Sequence, residues 1–281
     1  MRRTGILFIV IAALLWSTGG IGIKALNDSA LKVTFYRSIF AAATLLIVFR
    51  RDAISVRPSP AFLTAVLSYG ACLTTFVVAT KLTTAANAIF LQYAGVIWVL
   101  LFSPFVLREA MRRHDAIAIT IAMSGMALFF VGRFEARGMT GNAMALVSSV
   151  FFATMIMALR RNPQASRAAV TWGNVLLSLA LLPFVWNDLA LTPKSFLVLL
   201  GLGVFQIGVA YAFFVKGLQH VTATQASLTG MLEPVANPIW VLLFLNERPS
   251  AYAIAGAVIV LAAIAWHTMQ GQPASEMPAL D

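Results

Sequence analysis

Apolar runs follow one another along the whole chain, separated by short segments that carry charge, proline, asparagine or aspartate. A helix needs about 20 apolar residues to cross the hydrocarbon core of a bilayer. The predicted spans are ten, at residues 5–25, 31–49, 61–80, 84–106, 114–131, 139–159, 168–186, 195–215, 221–245 and 250–269. The apolar region of a signal peptide is only about 7–15 residues long, so we interpret the longer first run as a retained span.

Composition agrees with a chain embedded in a membrane. Only 11% of its 281 residues are charged and 60% are hydrophobic, whereas soluble domains contain about 25% charged residues. Ten spans of about 20 residues leave short loops and no room for a soluble domain. These figures exclude a soluble enzyme, a disordered protein and a disulfide scaffold, and they predict an all-α integral membrane protein.

Cysteine and histidine usage indicates no bound cofactor. Cys72 is the sole cysteine, so an intrachain disulfide cannot form. His114, His220 and His267 are far apart in sequence and do not have the spacing of metal ligands. We therefore expect neither a metal nor another cofactor.

The net charge of +10 predicts orientation rather than nucleic-acid binding. With the N-terminus inside, twelve of the 20 Lys and Arg residues fall in inner segments, seven fall in outer segments, and Arg37 lies within the second span. Basic residues in short loops favour the cytoplasmic side. The excess predicts a multi-pass protein of the cell inner membrane with both termini in the cytoplasm.

The two halves of the chain resemble one another. A shift of 136 residues places Gly5 on Gly141, Trp16 on Phe152, Thr18 on Thr154 and Lys24 on Arg160. A shift of 138 to 139 places Thr83 on Thr222 and Glu109 on Glu247. Chance similarity among apolar helices is the alternative, but two segments with nearly equal shifts argue against it.

This pattern predicts a five-span repeat at 1–135, a second at 136–269, and a disordered polar tail at 270–281. Because five is odd, the two repeats enter the membrane from opposite sides. Inverted repeats are typical of transporters, whose substrate site lies near the midplane between the repeats.

Several segments resemble the drug/metabolite transporter superfamily, EamA type. They are the fourth-span stretch Thr83-Thr-Ala-Ala-Asn-Ala-Ile-Phe-Leu-Gln-Tyr93, the repeat ends Leu107-Arg-Glu109 and Leu245-Asn-Glu-Arg248, and the motifs Phe35-Tyr-Arg-Ser38 and Leu232-Glu-Pro-Val235. The resemblance covers residues 5 to 268. It implies ten helices in two inverted five-helix repeats, efflux of small metabolites, and a cavity lined by helices one, three, four, six, eight and nine.

Within that superfamily the chain is similar in layout to the YddG-type aromatic amino acid exporters. The shared features are Leu15-Trp-Ser-Thr18 in the first span and the pair Gln92 and Tyr93 in the fourth. The chain departs from that type at Gly95, where an aromatic residue is expected, and at Glu233-Pro234 in the ninth span. These departures leave the substrate open.

Glu233 is the strongest candidate for a functional side chain. An acidic residue at mid-helix costs about 2.5–3.5 kcal/mol on insertion scales, so it is rarely retained without a role. Gln225, Thr229, Glu233 and Asn237 recur every four residues, and Trp240 continues their face. Either Glu233 faces a substrate ammonium group, or it is protonated and hydrogen-bonded to a neighbouring helix.

Two prolines beside Glu233 supply further polar groups. Pro234 and Pro238 have no N–H, so the carbonyls of Gly230 and Pro234 lose their helical partners. At membrane depth such carbonyls must face protein or a water-filled cavity. They can receive a substrate ammonium group, with Glu233 as its counter-charge.

Aromatic residues from both halves suit a flat apolar substrate. Trp16 precedes the polar, glycine-rich Ser17-Thr-Gly-Gly20, where the first span can bend, and its repeat partner is Phe152. Packing between helices is the alternative role. The full set of predicted substrate-binding residues is Trp16, Gln92, Tyr93, Trp98, Phe152, Met155, Gln206, Tyr211, Gln225, Glu233 and Trp240. Arg37 is expected to have a structural role.

The sequence thus predicts an exporter of small metabolites, chiefly aromatic or other apolar amino acids, working by alternating access without a cofactor. On the same fold, the cargo could instead be cationic drugs, purines, threonine-like amino acids or cysteine-pathway metabolites. An intramembrane enzyme is disfavoured because Glu233 is the one acidic residue deep within a span. A channel-like bundle, the coupling ion and the oligomeric state stay open.

Overall fold

The structure is a computed structural model that describes residues 1–56, 58–128, 138–245 and 250–270. All regular structure in these ranges is helical, which confirms the all-α class. The α-helices are α1 (Arg2–Trp16), α2 (Gly19–Lys24), α3 (Ala30–Phe49), α4 (Arg51–Ile54), α5 (Pro60–Leu82), α6 (Ala85–Gln92), α7 (Gly95–Val106), α8 (Arg113–Leu128), α9 (Met139–Arg161), α10 (Ser166–Val185), α11 (Pro193–Gly201), α12 (Ala210–Leu218), α13 (Ala223–Gly230), α14 (Leu232–Leu245) and α15 (Ala251–Met269). A π segment (Leu202–Val209) joins α11 to α12, and a 3₁₀ turn (Trp186–Asp188) follows α10.

Eight helical stretches in the described ranges are long and apolar enough to cross a membrane. They are Arg2–Lys24, Ala30–Phe49, Pro60–Leu82, Ala85–Val106, Met139–Arg161, Ser166–Asp188, Pro193–Leu218 and Ala251–Met269. The predicted fifth and ninth spans coincide with α8, which has 16 residues, and with α13 and α14. The predicted tail at 270–281 and the Glu247 repeat end lie outside the described residues, except for Gln270.

Three of the predicted spans are interrupted near their middles. The first breaks between α1 and α2, the fourth between α6 and α7, and the ninth between α13 and α14. At the first break the hydroxyls of Ser17 and Thr18 donate to the carbonyls of Leu14 and Leu15. The first span is therefore interrupted directly after Trp16, where the sequence predicts that it can bend, and hydroxyl groups donate to backbone carbonyls beside the interruption.

Ionic contacts join helix ends at both ends of the bundle. At one end, Lys32 Nζ lies 2.7 Å from a carboxylate oxygen of Asp188 and 3.1 Å from one of Asp28. Burial alone would raise the pKa of Asp28, but hydrogen bonds from Ser195 and Lys32 hold it below its usual value. At the other end, buried Arg160 pairs with Glu109. Both pairs connect the first predicted repeat to the second.

Glycine permits a close approach between α3 and the π segment. A Cβ atom at Gly203 would lie 2.8 Å from the carbonyl oxygen of Arg37 and would collide with Phe40, both on α3. Two residues earlier, a Cβ at Gly201 would meet nothing within 4 Å. Alanine substitutions at the two glycines therefore distinguish the effect of packing from the effect of helix propensity.

We predict that Gly203→Ala destabilises the protein by about 1–3 kcal/mol, the usual cost of overpacking. Gly201→Ala should be neutral or stabilise by up to about 1 kcal/mol, because alanine favours helix. Thermal unfolding of both purified variants in detergent measures the difference. Equal melting temperatures for the two variants would contradict this packing.

Candidate functional site

Glu233 contacts Tyr93 inside the bundle, and this contact joins the two predicted repeats. Glu233 lies in the first turn of α14, and Tyr93 follows the last residue of α6. The Tyr93 hydroxyl is 2.9 Å from Glu233 Oε2 and 2.6 Å from the carbonyl oxygen of Gly230. Both side chains are buried. The carboxyl is thus held by a phenol from the other repeat.

The Gly230 carbonyl is one of the two that the sequence predicts to be without a helical partner. Pro234 cannot donate to it, and the Tyr93 hydroxyl takes the place of the missing N–H. A phenol carries one proton, so it donates fully to one of the two oxygens at a time. When it donates to Gly230, a protonated Glu233 can donate to the phenol oxygen. When Glu233 is ionised, the phenol can turn to the carboxylate and release the carbonyl.

An aromatic cluster surrounds this contact. We define it as Trp16, Tyr93, Phe152, Tyr211 and Phe214, all of which are buried. The ring centroid of Trp16 lies 5.1 Å from that of Tyr211, 4.9 Å from that of Phe214 and 6.5 Å from that of Phe152. Phe152 in turn lies 5.8 Å from Tyr93. These spacings are typical of interacting aromatic pairs.

The predicted repeat partners Trp16 and Phe152 are therefore in contact, and both are buried. Met155 extends the cluster, since its sulfur lies 3.7 Å from the Tyr211 hydroxyl. Apolar and aromatic surface from both predicted repeats thus lies directly beside the Glu233–Tyr93 contact. Aromatic surface beside a carboxyl is chemically suited to a flat apolar group that carries a positive charge.

Arg37 is a second buried charged side chain in the bundle. Its Nη2 donates to Gln206 Oε1 at 2.7 Å, and Gln206 Nε2 lies 3.4 Å from the carbonyl oxygen of Trp16. Only 3% of Arg37 is exposed. Arg37 attracts Glu233 electrostatically, but the two do not form an ion pair in the described structure. The core therefore holds a buried cation as well as a buried carboxyl.

Two predicted site residues form their hydrogen bonds with groups other than Glu233 and Tyr93. Gln92 Nε2 donates to Ser148 Oγ at 2.8 Å, toward α9. Gln225 accepts from Arg2 at 3.2 Å and donates to Thr229 at 3.1 Å, so it belongs to the end of the bundle near the N-terminus. Spacing placed Gln225 on the face of Glu233, but the break after α13 separates the two.

The indole N–H groups of Trp98 and Trp240 each donate to a serine hydroxyl. Trp240 Nε1 donates to Ser17 Oγ at 2.6 Å, beside the break in the first span. Trp98 Nε1 donates to Ser149 Oγ at 3.1 Å and borders a cavity of about 660 Å³ between α5, α7 and α9. The other residues lining this cavity are Ser59, Pro60, Ala61, Thr64, Phe102, Val106, Val150, Ala153, Thr154, Met157, Ala158 and Arg161.

The structure brings together three side chains that could hold a metal ion and that the sequence did not predict to be close. His114, Asp115 and His267 bring ligand atoms within 4.8 Å of one another where α8 begins and α15 ends. Asp115 Oδ1 lies 2.6 Å from His267 Nε2, and Asp115 Oδ2 accepts from the backbone N–H of Arg112. Because 152 residues separate Asp115 from His267, no local spacing reveals the cluster. Its contacts tie the ends of two helices together.

Apolar helices around buried, oppositely charged side chains are characteristic of a membrane transporter. Comparison with known proteins agrees. Residues 3–131 and 139–269 each match the EamA-like transporter family. The two matches span most of the chain, and the chain belongs to this family. The resemblance found in the fourth span is confirmed.

Curated relatives carry the same general description. An uncharacterized transporter of Archaeoglobus fulgidus is 24% identical over 94% of this chain and 97% of its own length. The uncharacterized transporter YwfM of Bacillus subtilis is 25% identical over 91% of this chain and 90% of its own length. A crystal structure superposes with a TM-score of 0.82 over 97% of this chain and 100% of that chain, at 17% identity. That likeness concerns the fold.

Proposed function

We propose that the protein exports small metabolites, chiefly amino acids with aromatic or other apolar side chains, by alternating access between two five-span repeats. The Glu233–Tyr93 contact carries this proposal, because it joins the repeats at a buried carboxyl beside the aromatic cluster. A carboxyl can bind the ammonium group of an amino acid, and the aromatic rings can bury its side chain. Export needs no covalent chemistry and no cofactor.

Equivalent helix caps support an inverted repeat of ten spans at 1–135 and 136–269. Thr84 caps α6 by accepting from Asn87 N, and Thr222 caps α13 by accepting from Gln225 N, both at 3.1 Å. A single shift of 138 residues relates the two caps. In this arrangement α8 is the fifth span, and α13 with α14 is the ninth.

The Glu109–Arg160 ion pair supplies a gate at one end of the bundle. Glu109 lies in the segment between α7 and α8, whereas Arg160 lies in the last turn of α9, so their pair ties the first repeat to the second. The surplus of basic residues orients this end toward the cytoplasm of the cell inner membrane, with both termini inside. We infer that the pair holds the cytoplasmic end closed in this conformation and must break for substrate to enter.

Resistance to toxic analogues tests the substrate class in cells. Overproduction should protect bacteria from 5-methyltryptophan and 4-fluorophenylalanine, because export lowers their internal concentrations. Protection should not extend to canavanine, a toxic amino acid with a charged side chain. Unchanged sensitivity to both aromatic analogues, with the protein present in the membrane, would refute aromatic amino acid export.

A lipophilic cation is the second candidate cargo. The same buried carboxyl and aromatic rings suit a cationic drug, since rings attract cations as well as apolar groups. Competition against tryptophan transport in proteoliposomes distinguishes the two cargoes. Added phenylalanine should inhibit tryptophan transport by an aromatic amino acid exporter, whereas tetraphenylphosphonium should inhibit a drug exporter.

A further inference from the structure

We infer that Arg37, held by Gln206, binds the carboxylate of a zwitterionic substrate whose ammonium group faces Glu233. The inference rests on the proposed function, because it adds a second charged side chain that binds substrate to the same site. It also replaces the structural role that the sequence predicts for Arg37. A substrate that carries both an amine and a carboxylate fits this arrangement, which favours amino acids over the lipophilic cations that are the second candidate cargo.

The bonding of Arg37 is incomplete. Nη2 donates to Gln206, whereas Nε is buried and has no hydrogen-bond partner in the described part of the chain. Guanidinium groups carry five N–H donors in a planar fork that fits a carboxylate. A buried donor without a partner costs free energy. Nη2 of Arg160 and Nε of Arg167 also lack partners, but each of these arginines pairs with a carboxylate, whereas Arg37 pairs with none in the described residues. The open donor indicates a place for an acceptor.

Local backbone features place Gln206 beside this guanidinium. Gln206 lies in the π segment, and π turns often occur at functional sites. A Cβ atom at Gly19 would lie only 2.6 Å from Gln206 Nε2, so the glycine after the first-span break makes room for the amide. Two unusual backbone features thus converge on the residue that positions Arg37.

The aromatic cluster connects Arg37 to Glu233 through a series of contacts. Gln206 reaches the backbone of Trp16, the Trp16 ring contacts Phe152, and Phe152 contacts Tyr93, which holds Glu233. The guanidinium and the carboxyl attract each other, yet neither pairs directly with the other in the described structure. Two separated, opposite charges beside an aromatic surface match the charges and the side chain of an aromatic amino acid.

Three related probes test the roles of Arg37 and Glu233 separately. L-Tryptophan carries both charged groups, tryptamine lacks the carboxylate, and indole-3-propionate lacks the amine. Arg37→Gln should weaken binding of tryptophan and indole-3-propionate by about 30-fold or more, the usual effect of losing one partner of a buried charge pair. Tryptamine affinity should stay the same. Glu233→Gln should instead weaken tryptophan and tryptamine and spare indole-3-propionate.

Arg37→Lys serves as a folding control, because it keeps the charge but loses the planar fork. It should weaken only the two carboxylate probes, and by less than Arg37→Gln does. Binding is measured by thermal stabilisation and by radioligand binding in detergent. A parallel loss for all three probes in both Arg37 variants would overturn the inference, because it would show a structural role.

The outcomes also distinguish this inference from the proposed function. If tryptophan binds wild type and Arg37→Gln equally, the carboxylate site is wrong and amino acid export can still hold. If wild type binds indole-3-propionate through Arg37 but does not bind tryptophan, the proposed substrate is wrong and the carboxylate site holds. If wild type binds none of the probes, both are overturned.

Discussion

Glu233→Gln should lower the initial rate of tryptophan transport in proteoliposomes by about 100-fold, which corresponds to about 2.7 kcal/mol of lost interaction. The amide keeps the shape of the side chain and can still accept from Tyr93, but it has no charge for a substrate ammonium group. Removing one partner of a buried, hydrogen-bonded charge pair costs about 2–5 kcal/mol. The effect should therefore exceed that of any exposed acidic residue.

Asp188→Asn is the matched control for this variant. The Asp188 side chain is 66% exposed, and its partner Lys32 keeps a second carboxylate in Asp28. Its transport rate should stay within about twofold of wild type, because the group that loses its charge is exposed and buried Lys32 keeps the carboxylate of Asp28. A wild-type rate in Glu233→Gln, at equal amounts of reconstituted protein, would remove Glu233 from the transport mechanism.

Glu109→Met should reduce the free energy of unfolding by about 3 kcal/mol, the lower end of the cost of breaking a buried ion pair. Glu109 Oε1 accepts from Arg160 Nε and its Oε2 accepts from the backbone N–H of Ala223, both at 2.9 Å. The Arg160 side chain is only 4% exposed. Without Glu109, a buried guanidinium loses its carboxylate while it stays out of water.

The double variant Glu109→Met/Arg160→Met tests the origin of that loss. Because apolar side chains of similar size can replace a buried pair at little cost, the double variant should recover most of the stability. Denaturant unfolding in detergent micelles measures all four proteins of the cycle. Additive losses from the two single substitutions would show that the pair is not coupled.

The helices could be predicted because their cause is local. Apolar runs long enough to span a bilayer force the backbone to satisfy its own hydrogen bonds, and a helix does so within each run. The break after Trp16 and the open carbonyl of Gly230 were also predictable, since serine, threonine, glycine and proline act on their own segment. Here sequence and structure agree.

The partners of polar side chains were not predictable in the same way. Spacing shows which residues share a face of one helix, but it does not show which helix that face meets. Gln92 hydrogen-bonds to Ser148, and Gln225 hydrogen-bonds to Arg2, although both glutamines lie in predicted cavity-lining spans. Arg37 gained its proposed role only through Gln206, which lies 169 residues away in sequence. Such contacts depend on the packing of distant helices.

Counterflow of tryptophan in proteoliposomes tests the central claim most directly. Liposomes containing the wild-type protein and preloaded with unlabelled tryptophan are diluted into a trace of labelled tryptophan. An alternating-access exporter of aromatic amino acids exchanges the two, so labelled tryptophan should accumulate transiently above its external concentration. Equal labelled uptake with and without internal tryptophan, at a rate that does not saturate, would indicate a pore and contradict this account.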